Sequence, residues 1–491
     1  MMNMKTIGLF AGPLICGLAC LELSPLISTD AWKVIGLAAW MVIWWVTEAI
    51  PIGVTSLLPI VYLSLTGVSK ISEASAPYGD KIVFLFLGGF ILALSLEKWR
   101  IHERVALRIL RLTGTSANGV VVGFMIATAV LSMWMSNTAT TLMMLPIALS
   151  VLELLQRGRE AQGASESNER HQRGMNNFGI SMMLAVAYGA NIGGTMTLIG
   201  TPPNIVLASF INDHIKETGG EPLTFLDWMF IGVPFGLVAL TLTALLLIFV
   251  LYPNRLKEIS GADQMIKSAH EALGAWSSGQ VRVSLVFVAT ALCWVFSSPL
   301  EHLLGLQGRI SDTAIGLTGA AALFMIPSGE VDEQEQSKPL LVWDDMRRLP
   351  WDIVLLFGGG LSLAQALKGV GLIHAIGDQF SNLGSVSVMT LGLLTLIALL
   401  LTEVMSNVAL VNVFIPVVSG VAIGLGVAPL ALCAPVTLAA SCAFMLPMST
   451  PPNAIVFASG HVQIKHMVRA GLLLNIVAVM WITTLAHLIY F

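Results

Sequence analysis

Ser136, Asn137 and Thr138 interrupt the run "SMWMSNTATTLMMLP", residues 132 to 146, placing three hydrogen-bonding side chains in an otherwise apolar stretch. Ser406 and Asn407 in "TEVMSNVALV" interrupt a second such run 270 residues later. Two further motifs, "GTPPNIVLASF" from Gly200 and "STPPNAIVFAS" from Ser449, each set two prolines directly before an asparagine, Asn204 and Asn453. Proline removes a backbone donor and breaks a helix, leaving nearby carbonyls without partners. In lipid such a break survives only where it is buried in protein or lines a polar cavity. A new helix N-terminus presents free N–H groups and a positive dipole end, which suit a carboxylate. Freed carbonyls, hydroxyls and the asparagine oxygen suit Na⁺, a hard cation that prefers oxygen ligands by the same logic as Ca²⁺ and Mg²⁺. Simple helix capping by Ser and Asn and a plain proline kink are the competing uses of these residues.

The medium around these motifs follows from composition. The chain is 56% hydrophobic and only 11% charged, with a mean hydropathy of +0.82. Soluble domains carry about 25% charged residues, so this is an integral membrane protein. Apolar runs of spanning length recur, for example 33 to 50, 81 to 97, 228 to 251, 281 to 298 and 468 to 490. A formal net charge of −4 gives no reason to expect a nucleic-acid partner. The apolar start, "MMNMKTIGLFAGPLICGLACLEL", reads as a first span and not as a signal peptide, because further spans follow at once. The five cysteines, Cys16, Cys20, Cys293, Cys433 and Cys442, sit in apolar surroundings without metal-type spacing and read as packing residues.

Drawn with a cytoplasmic N-terminus, the topology has about eleven spans and an external C-terminus, and most of the basic residues then fall inside. The polar stretches 156 to 177, 253 to 280 and 328 to 349 become cytoplasmic loops. The segment 97 to 112, basic on one helical face, reads as an interfacial helix.

The chain also repeats itself. "GGFILALSLEK" from Gly88 matches "GGGLSLAQALK" from Gly358, and Ser136 and Asn137 match Ser406 and Asn407, both at a shift of 270. Thr201 matches Thr450 at a shift of 249. Alternation of membrane sides between the matched motifs makes this an inverted-topology repeat, whose sites lie near the midplane where the halves meet. Segments 118 to 155 and 385 to 425 read as re-entrant hairpins carrying the Ser-Asn motifs at their tips, with unwound helices around 200 to 204 and 449 to 453.

With "SNT" at 136 to 138, "SNV" at 406 to 408, the paired "TPPN" motifs, "WWVTEAIP" at 44 to 51 and "SCAFMLPMSTPPNAIV" at 441 to 456, the chain resembles the divalent anion/sodium symporter family over nearly its whole length. The family comprises sodium-coupled dicarboxylate and citrate carriers. The resemblance implies an all-α polytopic fold and a homodimer in the bacterial inner membrane, with a scaffold domain and an elevator-type transport domain. It assigns 1–112 and 256–384 to the scaffold, and 113–255 and 385–491 to the transport domain. It implies that Asn137, Thr138, Ser406, Asn407 and Val408 touch substrate carboxylates, with Thr201, Pro202, Thr450 and Pro451 closing the site. One sodium site would use Ser132, Ser136, Asn137 and the Gly200 carbonyl. The other would use the carbonyls of Thr402, Met405 and Ser449 with the Asn407 side chain. Na⁺ is then the co-transported ion, and no organic cofactor is implied.

Val408 departs from the threonine that many bacterial members carry and removes one substrate hydrogen bond. Succinate, malate and fumarate are the expected substrates, while citrate or sulfate transport, sodium-independent exchange and proton coupling stay open. Glu403 beside the second tip could be a proton or cation site. Glu48 reads as a span end and Asp352 as an interfacial residue or cap. Buried serines lack a histidine or lysine partner to activate them, which argues against an intramembrane hydrolase.

Overall fold

The computed structural model describes residues 4–21, 27–161, 169–218, 222–254, 256, 262–306, 309–331, 337–380 and 386–491. Residues 162–168, 255, 257–261 and 332–336, which belong to the three expected polar loops, lie outside the described residues.

Among the described residues six helical stretches are long and apolar enough to cross a membrane: Ile71–Lys98, Asn137–Leu155, Phe225–Leu251, Ser278–Val295, Asn407–Gly424 and Ile464–Tyr490. Trp351–Gly369 and Leu372–Phe380 would form a seventh, bent by 65° at its break. Shorter apolar helices, such as Met4–Ala19, Ala117–Ser132, Val388–Thr402 and Pro429–Ala440, fill the space between them. One element departs from the all-helical expectation. Pro327–Val331 and Ser337–Pro339 pair as a short antiparallel ribbon inside the polar stretch 328 to 349.

The repeat read in the sequence governs where helices stop. Four residues separate Ala117–Ser132 from Asn137–Ala161, and four separate Val388–Thr402 from Asn407–Gly424. Each first arm starts on a serine cap, Ser116 accepting from the Gly119 N–H and Ser387 from the Thr390 N–H. Each second arm contains one proline, Pro146 and Pro416, again 270 residues apart. The TPPN motifs open Pro202–Thr218 and Pro451–Ala458 with proline in the first turn, where no backbone donor is needed.

The halves interlock. The arm Asn137–Ala161 packs on the TPPN helix Pro451–Ala458 of the other half, and Asn407–Gly424 packs on Pro202–Thr218 in return. Likewise Lys81–Lys98 lies against Asp312–Met325, and Trp351–Gly369 against Ile52–Thr55 and Ala76–Gly79. Two glycines brace the breaks from behind. A β-carbon on Gly232 would lie 2.5 Å from the Thr195 carbonyl oxygen, and one on Gly471 would lie 2.5 Å from the Phe444 carbonyl carbon. Long helices thus press backbone to backbone on both breaks, a contact that only glycine allows.

The segment expected to lie in the interface forms the helix Ile101–Thr113, and its charge is not all on the outside. Arg104 is buried, with Nη2 donating to the carbonyls of Leu273, Gly274 and Ala275 at 2.8 to 3.0 Å and Nε to Gln280 at 3.1 Å. It ties this helix to the second half. Glu48 closes Thr29–Thr47 in a left-handed conformation and faces Lys5 at 3.5 Å; that helix is not among the six apolar enough to span. Asp352 falls in the first turn of Trp351–Gly369. All five cysteines are free.

Gly232→Ala and Gly471→Ala should each cost about 1–3 kcal/mol by overpacking. The measurement is the melting temperature of the purified protein in detergent, which falls for both variants.

Candidate functional site

Breaking a helix inside an apolar core exposes backbone groups that water cannot reach, and each unpaired one costs free energy. Here the breaks are closed by the asparagines of the TPPN motifs. The Asn204 side-chain amide donates toward the carbonyls of Gly194, Thr195 and Thr197 at 3.2, 3.3 and 2.8 Å. The Asn453 amide donates to the carbonyls of Ala443 and Leu446 at 2.9 and 3.1 Å. Gly194 matches Ala443 and Thr197 matches Leu446 at the same shift of 249, so the two staples are one device used twice. The sequence-based expectation that these carbonyls are left free is corrected accordingly: they are held by asparagine, which fixes the shape of each break.

At the first break five oxygens converge. The Ser132 hydroxyl donates to Asn137 Oδ1 at 2.6 Å. A β-carbon built on Gly194 would lie 2.5 Å from that same Oδ1 and 3.1 Å from the Gly200 carbonyl oxygen. One built on Gly200 would lie 2.5 Å from the Gly194 carbonyl oxygen and 3.0 Å from the Ser132 carbonyl oxygen. These uncharged oxygens, brought close together because two glycines leave no β-carbon between them, are the donor types that suit a hard monovalent cation. Ser136 caps the second arm through the Ala139 N–H at 3.2 Å. Asn137 and Thr138 are half-buried, whereas Thr201 is buried in the break.

The second break repeats the pattern. The Thr402 hydroxyl lies 2.7 Å from Asn407 Oδ1, and 2.6 Å from the Ala440 carbonyl oxygen. Thr402 therefore takes the place of Ser132, and Asn407 that of Asn137. Ser406 and Met405 are half-buried, and the Ser406 hydroxyl makes no cap hydrogen bond. Val408 is buried in the core. Pro202 is half-buried and Pro451 exposed, while the Thr450 hydroxyl caps Pro451–Ala458 through the Asn453 N–H. Ser449 is drawn into a different network, centred on Glu403.

Glu403 has methionine, Met133, at its matched position in the first half, so it breaks the symmetry. Its Oε1 accepts from the N–H groups of Phe444 and Met445 at 3.0 Å each and from the Asn475 amide at 2.8 Å. Its Oε2 accepts from the N–H groups of Met445 and Leu446 at 3.2 and 3.3 Å and from the Ser449 hydroxyl at 2.7 Å. Every partner is a donor, and the backbone donors are those that the second break frees. The carboxylate therefore organises the break from inside, adjacent to the second set of oxygens. The sequence placed Glu403 near the tip but could not reveal that its partners lie 41 to 46 residues on, and Asn475 later still.

A family model described as the sodium:sulfate symporter transmembrane region matches residues 5–490. The sodium-dependent dicarboxylate transporter SdcS of Staphylococcus aureus strain MRSA252 is 38% identical over 489 residues, covering 99% of this chain and 91% of its own. The SdcS of strain NCTC 8325 is 38% identical over 478 residues, covering 96% and 89%. In fold, the chain is similar to the YdaH transporter of Alcanivorax borkumensis, with a TM-score of 0.57 at 12% identity, covering 99% of this chain and 98% of that one.

Glu403→Gln should turn one acceptor oxygen into a donor that faces donors, a mismatch worth about 1–3 kcal/mol. The melting temperature should fall and substrate uptake should be reduced. Glu403→Asp, which keeps the charge but shortens the reach, should be intermediate in both.

Proposed function

The chain belongs to the sodium:sulfate symporter transmembrane-region family, and from that premise we propose that it couples the Na⁺ gradient to uptake of C4-dicarboxylates such as succinate, malate and fumarate. It is a multi-pass membrane transporter and not an enzyme. The plasma membrane, with the N-terminus cytoplasmic, is its proposed location.

One observation carries the reading: Asn137 and Asn407, 270 residues apart, each hold a side-chain oxygen against a hydroxyl five residues earlier, at the mouth of a broken helix. Each asparagine also opens a helix, so its oxygen can face a cation while the helix N-terminus faces an anion. Two such ends suit the two carboxylates of one substrate. Neither tip motif contains Lys or Arg, so the substrate charge has to be balanced by ions that travel with it. In this scheme Asn137, Thr138, Ser406 and Asn407 contact substrate, Val408 shapes the pocket without a hydroxyl, and Thr201, Pro202, Thr450 and Pro451 close it. Ser132, Ser136, Asn137 and Gly200 serve one Na⁺, and Thr402, Met405, Asn407 and Ser449 another. The SdcS relatives are named for dicarboxylate, which favours that substrate class over sulfate.

The two Ser-Asn segments act as re-entrant hairpins of a transport domain, 113–255 and 385–491, that moves as an elevator. The scaffold, 1–112 and 256–384, forms the homodimer.

Uptake of radiolabelled succinate into liposomes holding the purified protein, driven by an inward gradient of Na⁺, K⁺ or H⁺, tests the reading. Uptake should require Na⁺, and unlabelled malate and fumarate should compete better than citrate or sulfate. Uptake that instead needs dicarboxylate inside, or H⁺ alone, would make the protein an exchanger or a proton-coupled carrier. Gly200→Ala should abolish the Na⁺-driven uptake, because its β-carbon would occupy the first set of oxygens. Val408→Thr should reorder the competitors and leave the Na⁺ requirement in place.

A further inference from the structure

The last turns of the helix Glu169–Gly194 lie between the two breaks and touch both. Gly189 and Gly193, four residues apart, share one face. A β-carbon on Gly189 would lie 2.7 Å from the Met125 carbonyl oxygen, and one on Gly193 would lie 2.3 Å from that of Ala129. This face is pressed, backbone to backbone, on the arm Ala117–Ser132 that ends at the first set of oxygens. One residue beyond Gly193, the Gly194 carbonyl belongs to that set.

The opposite face carries Tyr188 and Asn191, three residues apart and both fully buried. The Tyr188 hydroxyl donates to the Phe444 carbonyl at 2.9 Å, and the two rings meet edge to face at 5.0 Å. Asn191 Nδ2 lies 3.2 Å from Thr450 Oγ1, 3.3 Å from Asn453 Oδ1 and 3.5 Å from the Ala443 carbonyl oxygen. It therefore holds the cap of the second TPPN helix and the staple of the second break in one grip. Its own Oδ1 has no partner among the described residues. An amide kept buried with one end unpaired is a costly choice for packing alone.

The bridge runs one way. The position matched to Asn191 in the second half is Ala440, which has no side chain able to reach back. Asn204 Oδ1, the counterpart of the atom that Asn191 grips, is buried without a partner among the described residues.

We infer that Asn191 is a positioning residue that couples the two cation sites: an ion at the first site fixes Gly194 and the end of this helix, and Asn191 carries that order to Thr450 and Asn453 at the second. This rests on the sodium-coupled reading above. Coupling of this kind is a difference in affinity shared between two sites.

The test is the dependence of succinate uptake on Na⁺ concentration in liposomes, each curve scaled to its own maximum. The wild type should give a sigmoidal curve with a Hill coefficient above 1. Asn191→Asp keeps the shape but removes the donor. It should bring the Hill coefficient toward 1 and raise half-saturation at least about fivefold, the low end of typical coupling. Tyr188→Phe removes only the hydroxyl contact to Phe444 and should shift both values in the same direction by less, which decides the matter if the Asp variant does not fold. A role in packing alone would lower the maximum and leave the scaled curve unchanged, and that result overturns the inference, as does a wild-type Hill coefficient of 1. Wild-type uptake without any Na⁺ dependence would instead overturn the transport reading itself, visible before any variant is compared.

Discussion

Backbone that leaves a helix inside an apolar interior has to find its hydrogen bonds within the protein. Everything distinctive about this molecule follows from meeting that demand twice. Asn204 and Asn453 reach back across their breaks to carbonyls seven to ten residues earlier. The prolines before them open the next helices where a donor would be wasted. Gly232 and Gly471 let long helices lie directly against the irregular backbone. The same arrangement gathers uncharged oxygens of Ser132, Asn137, Gly194 and Gly200 at the first break, where in the proposed scheme they face an ion.

The two halves meet the demand differently. In the first, the break leans on the Thr197 hydroxyl, which donates to the Met133 carbonyl, and on the Trp228 indole, which donates to the Thr195 carbonyl. In the second, Glu403 collects three freed N–H groups together with Asn475 and Ser449. The second break is thus fixed by a carboxylate anchored in the closing helix Ile464–Tyr490, and the first by neutral groups alone. In the proposed scheme Asn191 joins the two.

Much of this was legible in the residues. Periodic apolar runs placed the long helices within a few residues, and the shift of 270 located both Ser-Asn breaks, because Asn137 and Asn407 stand at the first positions of the helices that follow. Four things were hidden, each for a physical reason. The asparagine staples looked like motif ends, since their partners are carbonyls and carbonyls carry no sequence signal. The Glu403 network joins residues 41 to 72 positions apart, through backbone N–H groups, which carry no sequence signal, and through the distant Asn475 amide. Gly232 and Gly471 repeat at a third shift, 239, that no motif advertises. Arg104 read as a surface charge because pattern alone cannot tell a lipid-facing arginine from one folded back onto three carbonyls.

In the proposed scheme these two breaks hold sodium before any substrate arrives. The direct measurement is the melting temperature of the purified, substrate-free protein titrated with NaCl against KCl at constant ionic strength. An ion that binds only the folded state stabilises it in proportion to the logarithm of its concentration above Kd. The melting temperature should rise with Na⁺ in a way that K⁺ does not reproduce and that Gly200→Ala diminishes. An equal rise with both salts, or none with either, would contradict it.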